Sequence, residues 1–291
     1  MILEQTAARS CRLLSFLRQE MQLSSGLVKR LKWQNALFLN GAPAHTSAAV
    51  RPGDRIRVCV SEEVCGFAGE AEPIEILYED EALLAVDKPA GLLVHPSPQR
   101  NSGTLANFVL GYFERSGQPC GVHPVTRLDR DTFGVVLFAK NAYVHEKCCA
   151  MQRDHRFFKT YHAAVFGGPR SGCGLIDLPI RKVGNGSLLR TVSPEGKAAR
   201  TRFTVLSRTA QCAVLRLEPV TGRTHQLRVH CLYAGFPILG DPQYRTQDSA
   251  AFSRLHGLTT QELCARQLEF PHPLTGAPVR IESRKNVIKT P

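Results

Sequence analysis

Blocks of apolar residues separated by polar turns recur along this chain and predict a series of buried strands. Residues 83–86 and 135–139 are uninterrupted apolar runs, a pattern typical of strands that are buried on both faces. Residues 201–206 and 212–217 predict an antiparallel pair. A helix is expected at about 141–152, so the pattern indicates a domain that contains both strands and helices.

The first 60 residues show a different pattern, which predicts two short helices followed by a hairpin. Leucines at helical spacing predict a helix over 12–20, and Ser24 or Ser25 can cap a second helix that runs to Trp33. A strand expected at 36–39 closes at an Asn-Gly pair, which is a strong turn signal. This segment therefore predicts a small module of its own.

The chain has a net charge of +12 and an isoelectric point near 9.5, and half of this excess of positive charge lies in the module. It holds nine Lys and Arg against three Asp and Glu, a local net charge of +6. A local basic excess favours nucleic acid as the partner, and the alternative is a basic but unspecialised surface. The module residues expected to contact RNA are Lys29, Arg30, Lys32, Arg55 and Arg57.

Residues 61–72 are acidic, small and glycine-containing, which is typical of a linker. We therefore place a domain boundary there, between a module at 1–60 and a larger domain at 73–291. No apolar run approaches the roughly 20 residues that span a bilayer, and no secretion signal begins the chain, so we expect a cytoplasmic protein. The 10 cysteines are scattered without a Cys-x-x-Cys pair, so we expect free thiols and no metal site.

A dense polar turn precedes the apolar run at 135–139. Asp129 lies in this turn between Arg127 and Arg130. A carboxylate surrounded by positive charge stays ionised and can attack or orient a substrate. The simpler interpretation is that Asp129 caps the turn and pairs with these arginines, since Asp is a common turn former. This stretch alone leaves both interpretations open.

Further candidates for the same site lie elsewhere in the larger domain. A Pro-Gly bend can turn Lys88 and His95 toward a cleft, or it can simply form a rigid corner. Tyr161 lies on a predicted strand, where an aromatic residue is by default part of the core. Arg228 projects from a helix for which Thr224 is the expected N-cap.

The chain lacks the motifs of several common enzyme classes. It has no P-loop, no dinucleotide-binding glycine fingerprint and no nucleophile-elbow serine. A single aspartate fits nucleophilic attack at a sugar carbon better than hydrolysis, which needs two placed carboxylates. A zinc enzyme is disfavoured because the His and Cys residues do not form a ligand set. With the basic module attached, the sugar would be a ribose in RNA.

Five motifs resemble those of the RluA type of pseudouridine synthase and follow one another in the same order as in that family. They are the upstream stretch 88–96, the catalytic stretch 127–134, the tyrosine stretch 159–167, the paired stretches 222–230 and 240–244, and the C-terminal stretch 270–276. The resemblance covers most of the larger domain. The first 60 residues also resemble the RNA-binding module of a ribosomal small-subunit protein.

The resemblance implies an α+β fold with a mixed, mostly antiparallel central sheet, flanking helices and a central catalytic cleft. It implies that Asp129 is the nucleophile in a reaction that detaches uracil, rotates it and rejoins it through carbon five. Attack on the ribose and attack on the base both stay open. No cofactor is implied.

The same resemblance assigns roles to further side chains. Tyr161 would pack on a flipped uracil and could move a proton, and Arg228 would pair with Asp129. Leu227 would help to close the pocket, and Arg127 would fill the gap that the flipped nucleotide leaves. Further RNA contacts are expected at Lys88, His95, Arg223 and His225.

Two positions depart from the family pattern. Thr126 stands where most members have His, and Phe133, which can pack into the core, stands where most have Ser. Neither departure removes a reacting group, so we expect activity, and the alternative is a catalytically silent RNA-binding or ribosome-assembly protein. The appended module favours ribosomal RNA over transfer RNA as the substrate, and we expect a monomer.

Overall fold

The computed structural model describes residues 1–60, 65–97, 100–118, 120–184 and 186–288. The first of these segments contains, in chain order, β1 (Ile2–Thr6), β2 (Cys11–Arg12), α1 (Leu13–Gln19), α2 (Ser25–Trp33), β3 (Leu37–Leu39), β4 (Ala42–Pro43), β5 (Ala49–Val50) and β6 (Arg55–Cys59). Four of its strands pair in the antiparallel order β1-β6-β3-β4, and β2 pairs with β5. The two predicted helices and the predicted hairpin are therefore present.

Helix α2 packs its apolar residues toward the small sheet. Ser24 caps this helix by accepting a hydrogen bond from the N–H of Leu27 at 3.0 Å, which satisfies one of the unpaired donors of the first turn. Leu27, Val28 and Leu31 are buried in a cluster that includes residues of β3 and β6. The basic residues of α2 consequently lie on its other sides.

The rest of the chain is built on one large sheet. The strands in this part of the chain are β7 (Ile76–Glu79), β8 (Leu83–Lys88), β9 (His123–Pro124), β10 (Phe133–Ala139), β11 (Phe158–Phe166), β12 (Cys173–Asp177), β13 (Ile180–Lys182), β14 (Arg190–Val192), β15 (Arg200–Arg208), β16 (Cys212–Pro219), β17 (Leu263–Pro271) and β18 (Pro278–Glu282). Ten of them join in the order β12-β15-β16-β11-β17-β10-β8-β7, with β9 on β10 and β18 on β17. β13 and β14 form a separate hairpin.

Neighbouring strands of the large sheet are antiparallel, apart from the parallel pair β10 and β17 among the described residues. The helices α3 (Leu105–Arg115), α4 (Ala142–Arg153), α5 (Gln226–Tyr233) and α6 (Gln247–Leu255) flank it. The predicted α+β fold with a mixed, mostly antiparallel sheet is confirmed. No helix within the described residues is long and apolar enough to span a bilayer.

One half of the sheet is covered on both faces. Leu84 and Val136 pack in the cluster that contains the apolar side of α3, whereas Leu83 and Leu137 pack in the cluster that contains the apolar side of α4. Successive side chains of a strand point to opposite faces, so both faces of β8 and β10 are buried. This arrangement explains the uninterrupted apolar runs of these two strands.

The other half carries α5 on one face and α6 on the other. Ala163 of β11 packs in a cluster with Leu227 of α5, whereas its neighbour Ala164 packs with Phe252 of α6. Tyr161 lies two positions before Ala163 and packs against the same cluster as Leu227. Strand β11 therefore presents its tyrosine on the side of helix α5.

The two halves meet where β10 runs parallel to β17, with Gly134 beside Ala265. A Cβ atom on Gly134 would lie 2.3 Å from the backbone oxygen of Ala265, and the φ angle of Gly134 is +107°. Only glycine permits both the approach and this backbone conformation. The start of β10, which follows the turn of Asp129, is thereby fixed against the centre of the sheet.

The described part of the predicted linker, residues 65–72, lies against α3, and residues 61–64 lie outside the described residues. The side chain of Asn107 donates to the carbonyl of Ala68 at 2.9 Å, and the N–H of Glu70 donates to the carbonyl of Asn107 at 2.9 Å. Buried apolar residues of the module and of the larger domain also form one continuous cluster. The domain boundary stays a prediction, and the segment that follows it is bonded to the larger domain.

Candidate active site

Asp129 lies in the loop between β9 and β10, and hydrogen bonds on both sides of it hold the loop. Thr126 accepts a hydrogen bond on Oγ1 from the N–H of Leu137 at 2.9 Å. The N–H of Thr132 donates to the carbonyl of Asp129 at 3.2 Å, and Gln261 donates to the Thr132 hydroxyl. The side chain of Asp129 is 27% exposed, so a bound molecule can reach its carboxylate.

The two departures from the family pattern support this loop. Thr126 is buried and joins the loop to β10 through its hydroxyl. Phe133 is buried in a cluster with Ala164 and Cys264, so the prediction that it packs into the core is confirmed.

Arg228 on α5 connects Asp129 to a second carboxylate. Its Nη1 donates to Oδ2 of Asp129 at 3.1 Å. Its Nε and Nη2 donate to the two oxygens of Asp241 at 2.7 and 2.9 Å, and Nη2 also donates to Gln243 at 3.0 Å. The face of the guanidinium lies 4.8 Å from the ring centre of Tyr244. Asp241, Gln243 and Tyr244 therefore hold the forked guanidinium of Arg228 in place, and its Nη1 edge faces Asp129.

Burial makes this charge arrangement strong. The side chain of Arg228 is 6% exposed and that of Asp241 is 0% exposed. Burial by itself lowers the pKa of Arg228, but the hydrogen bonds and charges of Asp241 and Asp129 raise it above its usual value. A buried guanidinium with these partners stays charged and can form a charge-assisted hydrogen bond with the carboxylate beside it.

His225 lies on the other side of Asp129, with 4.0 Å between Nε2 and Oδ1. Its Nδ1 is 2.8 Å from Oη of Tyr244, which accepts a hydrogen bond from the N–H of Arg190 at 2.8 Å. When Tyr244 donates its proton to Nδ1, the neutral imidazole carries its own proton on Nε2, which faces Asp129. Burial lowers the pKa of His225, with Asp129 opposing and Arg228 adding to the effect.

The start of α5 differs from the prediction that Thr224 is its N-cap. His225 occupies that position, with a left-handed φ of +56°. The side chain of Gln226 accepts from the N–H of Arg223 at 3.0 Å and from the hydroxyl of Thr221 at 2.9 Å. The side chain of Gln226 thus accepts the backbone hydrogen bond of this turn that a serine or threonine cap would otherwise accept. His225 is left free of a capping role, and its ring faces Asp129.

Tyr161 and Leu227 form the apolar side of the site. Leu227 is buried in the cluster against which Tyr161 packs. Burial raises the pKa of the Tyr161 phenol, and the charge of Asp129 and the thiol of Cys264 add to this. Asp129 is therefore near enough to act on the phenol electrostatically, and the phenol is neutral at ordinary pH.

Lys88 does not fit the prediction that it contacts RNA, because it is 0% exposed. Its Nζ donates to three backbone carbonyls, those of Pro89, Leu92 and Arg130, at 2.7 to 2.9 Å. These acceptors use all three ammonium protons. Burial lowers the pKa of Lys88 to about 7, with Asp131 and Asp129 opposing. Lys88 thus holds the loop of Asp129 from inside the protein.

His95 and Arg127 are both exposed beside the site. The ring of His95 contacts Phe67 edge to face at 5.6 Å between ring centres. Burial lowers the pKa of His95, and the charge of Arg127 lowers it further, so the two side chains lie near each other. They form a surface at the entrance that a nucleic acid could contact.

The other predicted RNA contacts have different surroundings. Arg223 is exposed and its Nε donates to the carbonyl of Ala198 at 3.0 Å. In the module, Lys29 and Lys32 are exposed and Arg30 is half-buried. Arg55 pairs with Glu4 at 2.8 Å, and the guanidinium of Arg57 lies 5.0 Å from the ring centre of Phe38. These module residues are separate in sequence from the Asp129 site, and their contact with RNA stays a prediction.

Sequence reasoning missed the residues that hold the fork of Arg228. Asp241, Gln243 and Tyr244 lie in the motif stretch 240–244, and the resemblance gives no separate role to each of them. The available clue was the short spacing of Asp241 and Tyr244 after Gly240, which brings both side chains to one side of a turn. In the described ranges, no group of three or more His, Cys, Asp or Glu is placed to hold a metal ion.

A family model for RNA pseudouridylate synthase matches residues 82–233, which include Asp129, Tyr161 and Arg228. This range is about half of the chain and runs from β8 through α5. The chain belongs to this family, in its RluA type, and is an RNA pseudouridine synthase that isomerises uridine in RNA.

Individual relatives agree with this assignment. The chain is 36% identical over 251 residues to an uncharacterised RNA pseudouridine synthase, YlyB, of Bacillus subtilis, covering 85% of this chain and 81% of the relative. It is 34% identical over 255 residues to ribosomal large subunit pseudouridine synthase D of Pseudomonas aeruginosa, covering 85% and 79%. A solved human structure, RNA pseudouridylate synthase domain containing 4, is 27% identical with a TM-score of 0.58, covering 75% and 88%.

Proposed function

We propose that Asp129 is the nucleophile of this isomerase and that it acts on a uridine flipped out of a structured RNA. The observation that carries this proposal is the placement of a partly exposed carboxylate against the buried fork of Arg228, next to Tyr161. The reaction breaks the bond between N1 of uracil and C1′ of ribose and forms a bond between C5 and C1′. C5 loses a proton to solvent and N1 gains one, so the atoms balance.

Each neighbour of Asp129 contributes to this chemistry. Arg228 holds the carboxylate in one orientation, because the two oxygens of Asp241 fix its guanidinium. The phenol of Tyr161 stays protonated, so it serves as a ring under the uracil and as a hydrogen-bond donor. Leu227 excludes water beside it, which strengthens the electrostatic interactions of the site.

Base flipping is part of this proposal, because a uracil stacked inside RNA cannot reach a carboxylate that is only 27% exposed. Unstacking a base costs a few kcal/mol, and the enzyme must offset this cost with new contacts. Stacking on Tyr161 supplies one such contact. Arg127 is exposed at the entrance and can fill the gap left in the RNA, and His95 lies beside it.

We infer that ribosomal RNA is the substrate class, with transfer RNA as the other candidate. The relative from Pseudomonas aeruginosa is named a ribosomal large subunit pseudouridine synthase, and 79% of its length is covered by this chain. The local net charge of +6 in the first 60 residues supplies a second contact with a large RNA.

The proposal is tested by the release of tritium from RNA that carries tritium at C5 of uridine. Release reports directly the loss of the C5 proton when C5 joins C1′. Purified full-length protein should release tritium from ribosomal RNA transcripts, and Asp129→Asn should lower the rate by a factor on the order of 10⁴. Asp248→Asn, the same change at an exposed position of α6 away from this loop, is the control and should keep the rate. Equal rates for wild type and Asp129→Asn would refute the role of Asp129.

A further inference from the structure

Trp33 is the single tryptophan of the chain, and 78% of its surface is exposed. It ends helix α2, whose buried side consists of Leu27, Val28 and Leu31. Successive helical residues are rotated by about 100°, which places Trp33 on the side opposite these three residues. Its indole therefore belongs to the surface of the module and takes no part in the core.

The surroundings of Trp33 are basic. Lys29 precedes it by four residues, so the two side chains are neighbours on the helix surface. Lys32 lies on the flank of the same side, and both lysines are exposed. Helix α2 contains no acidic residue. A large aromatic face is thus displayed in a field of positive charge, with water on its outer side.

We propose that Trp33 stacks on an unpaired nucleobase of the RNA substrate while Lys29 and Lys32 bind the phosphates on either side of it. The proposal rests on the proposed function, since it requires that RNA reaches the module. Proteins bind single-stranded RNA by combining aromatic stacking with cations that follow the backbone. Bases inside a duplex are already stacked, so this site would direct the module to loops and bulges.

Charge decides between RNA and a protein partner for this surface. An apolar protein surface would leave the ammonium groups of Lys29 and Lys32 desolvated next to it, at a cost. The phosphates of RNA neutralise these charges and release counterions. The predicted RNA contacts on β6 have partners within the module, because Arg55 pairs with Glu4 and Arg57 lies over Phe38. The exposed side chains of Lys29 and Lys32 are therefore the cations that we assign to the phosphates.

The single tryptophan makes the test direct, because all indole emission of the full-length protein comes from Trp33. The protein is titrated with an oligouridylate of about 12 nucleotides and with a fully paired duplex of the same length. Stacking predicts saturable quenching by the single strand and a weaker response to the duplex. Trp33→Ala should weaken oligouridylate binding roughly 5-fold to 150-fold in fluorescence anisotropy, and Trp33→Phe should restore most of the affinity.

Leu255→Ala is the matched control, because Leu255 is 81% exposed at the end of α6, lies outside the module and has no aromatic ring to stack on a base. It should bind oligouridylate like the wild type. Unchanged emission in wild-type protein that binds oligouridylate and releases tritium from RNA overturns the stacking site and leaves the proposed function intact. An equal response to single strand and duplex also overturns it. Wild-type protein that neither binds RNA nor releases tritium overturns both.

Discussion

Arg228 is the residue on which the geometry of the site depends. A guanidinium has five donors in a planar fork, and four hydrogen bonds from three of its nitrogens bind Asp241, Gln243 and Asp129 together. A lysine has a point charge and cannot hold two carboxylates in fixed positions. Tyr244 covers the face of the fork and joins it to His225. The orientation of Asp129 therefore depends on Asp241, Gln243 and Tyr244, which follow helix α5 in the chain.

We expect Asp241→Asn to lower both stability and rate, although Asp241 does not touch the substrate in our proposal. Removing one partner of a buried ion pair leaves an uncompensated charge and costs about 3–5 kcal/mol. The free energy of unfolding in urea should fall by this amount, and kcat should fall with it because Arg228 loses its orientation. Glu195→Gln, which removes an exposed pair with Arg181 at 3.1 Å, is the control and should change unfolding by less than about 1 kcal/mol. A wild-type kcat in Asp241→Asn would contradict the positioning role.

The sequence predicted the side chains that we propose to be catalytic better than it predicted the residues that hold them. Asp129, Tyr161 and Arg228 were found because each lies in a distinctive motif, and the structure brings Asp129 and Arg228 to 3.1 Å. Lys88 lies in an equally distinctive motif, but its carbonyl acceptors come from separate parts of the chain. Backbone acceptors leave no trace in a sequence, so a buried lysine and an RNA-binding lysine cannot be distinguished there.

Helix α5 connects the Asp129 site to strand β15 of the large sheet. It begins with His225 and Arg228 and continues to His230, which is fully buried. Nε2 of His230 donates to the carbonyl of Leu178 at 3.0 Å, and Nδ1 accepts from the hydroxyl of Thr201 at 2.9 Å. This neutral imidazole fixes the helix against β15, whose first residues include Thr201.

We expect the stability of the protein to fall as the pH is lowered below about 6.5, in part because of His230. Burial lowers the pKa of His230, with the Leu178 carbonyl and Asp177 opposing. The unfolded chain then binds more protons than the folded one, so the free energy of unfolding rises with pH and is lost on acidification. Urea unfolding between pH 5.5 and 7 (a window around the ordinary pKa of about 6.5) measures this slope.

The variant His230→Gln isolates this contribution. Its pH slope should be shallower than that of the wild type by up to about 1.4 kcal/mol per pH unit. His45→Gln, at an exposed position of the module, should keep the wild-type slope. An identical slope in His230→Gln and wild type would show that His230 does not supply the pH dependence.

The elements were predictable to different degrees. The apolar runs of β8 and β10 gave buried strands because helices cover both faces. The start of α5 was placed one residue early, because the hydrogen bonds of Gln226 replace a conventional cap and allow the left-handed conformation of His225. Local pattern predicts a helix well, whereas its first residue depends on contacts with Thr221 and Arg223.

At the scale of the whole molecule, the module and the larger domain share one apolar cluster. Deleting residues 1–60 should weaken RNA binding and flatten its salt dependence. It would also expose the shared cluster, so removing charge in the full-length protein is a cleaner test. The N–H of Ser24 also donates to Glu146 of α4 at 3.1 Å, which fixes the module next to that helix.

We expect the double variant Lys29→Ala and Lys32→Ala to bind RNA with a smaller salt slope. Each lysine that contacts a phosphate contributes about one unit to the slope of log affinity against log salt, so the slope should fall by up to about 2. Arg9→Ala is the control, because Arg9 already pairs with Glu20 at 2.6 Å and should change the slope less. A wild-type slope in the double variant would refute the role of the α2 lysines in RNA binding.

The central claim is that this protein isomerises specific uridines in cellular RNA through Asp129. The most direct measurement is a map of pseudouridine in total RNA from cells that carry the wild-type chain, no chain, or Asp129→Asn in its place. We expect one or more pseudouridine sites in ribosomal RNA to be present with the wild-type chain and absent in the other two. Identical maps in all three cells would contradict it.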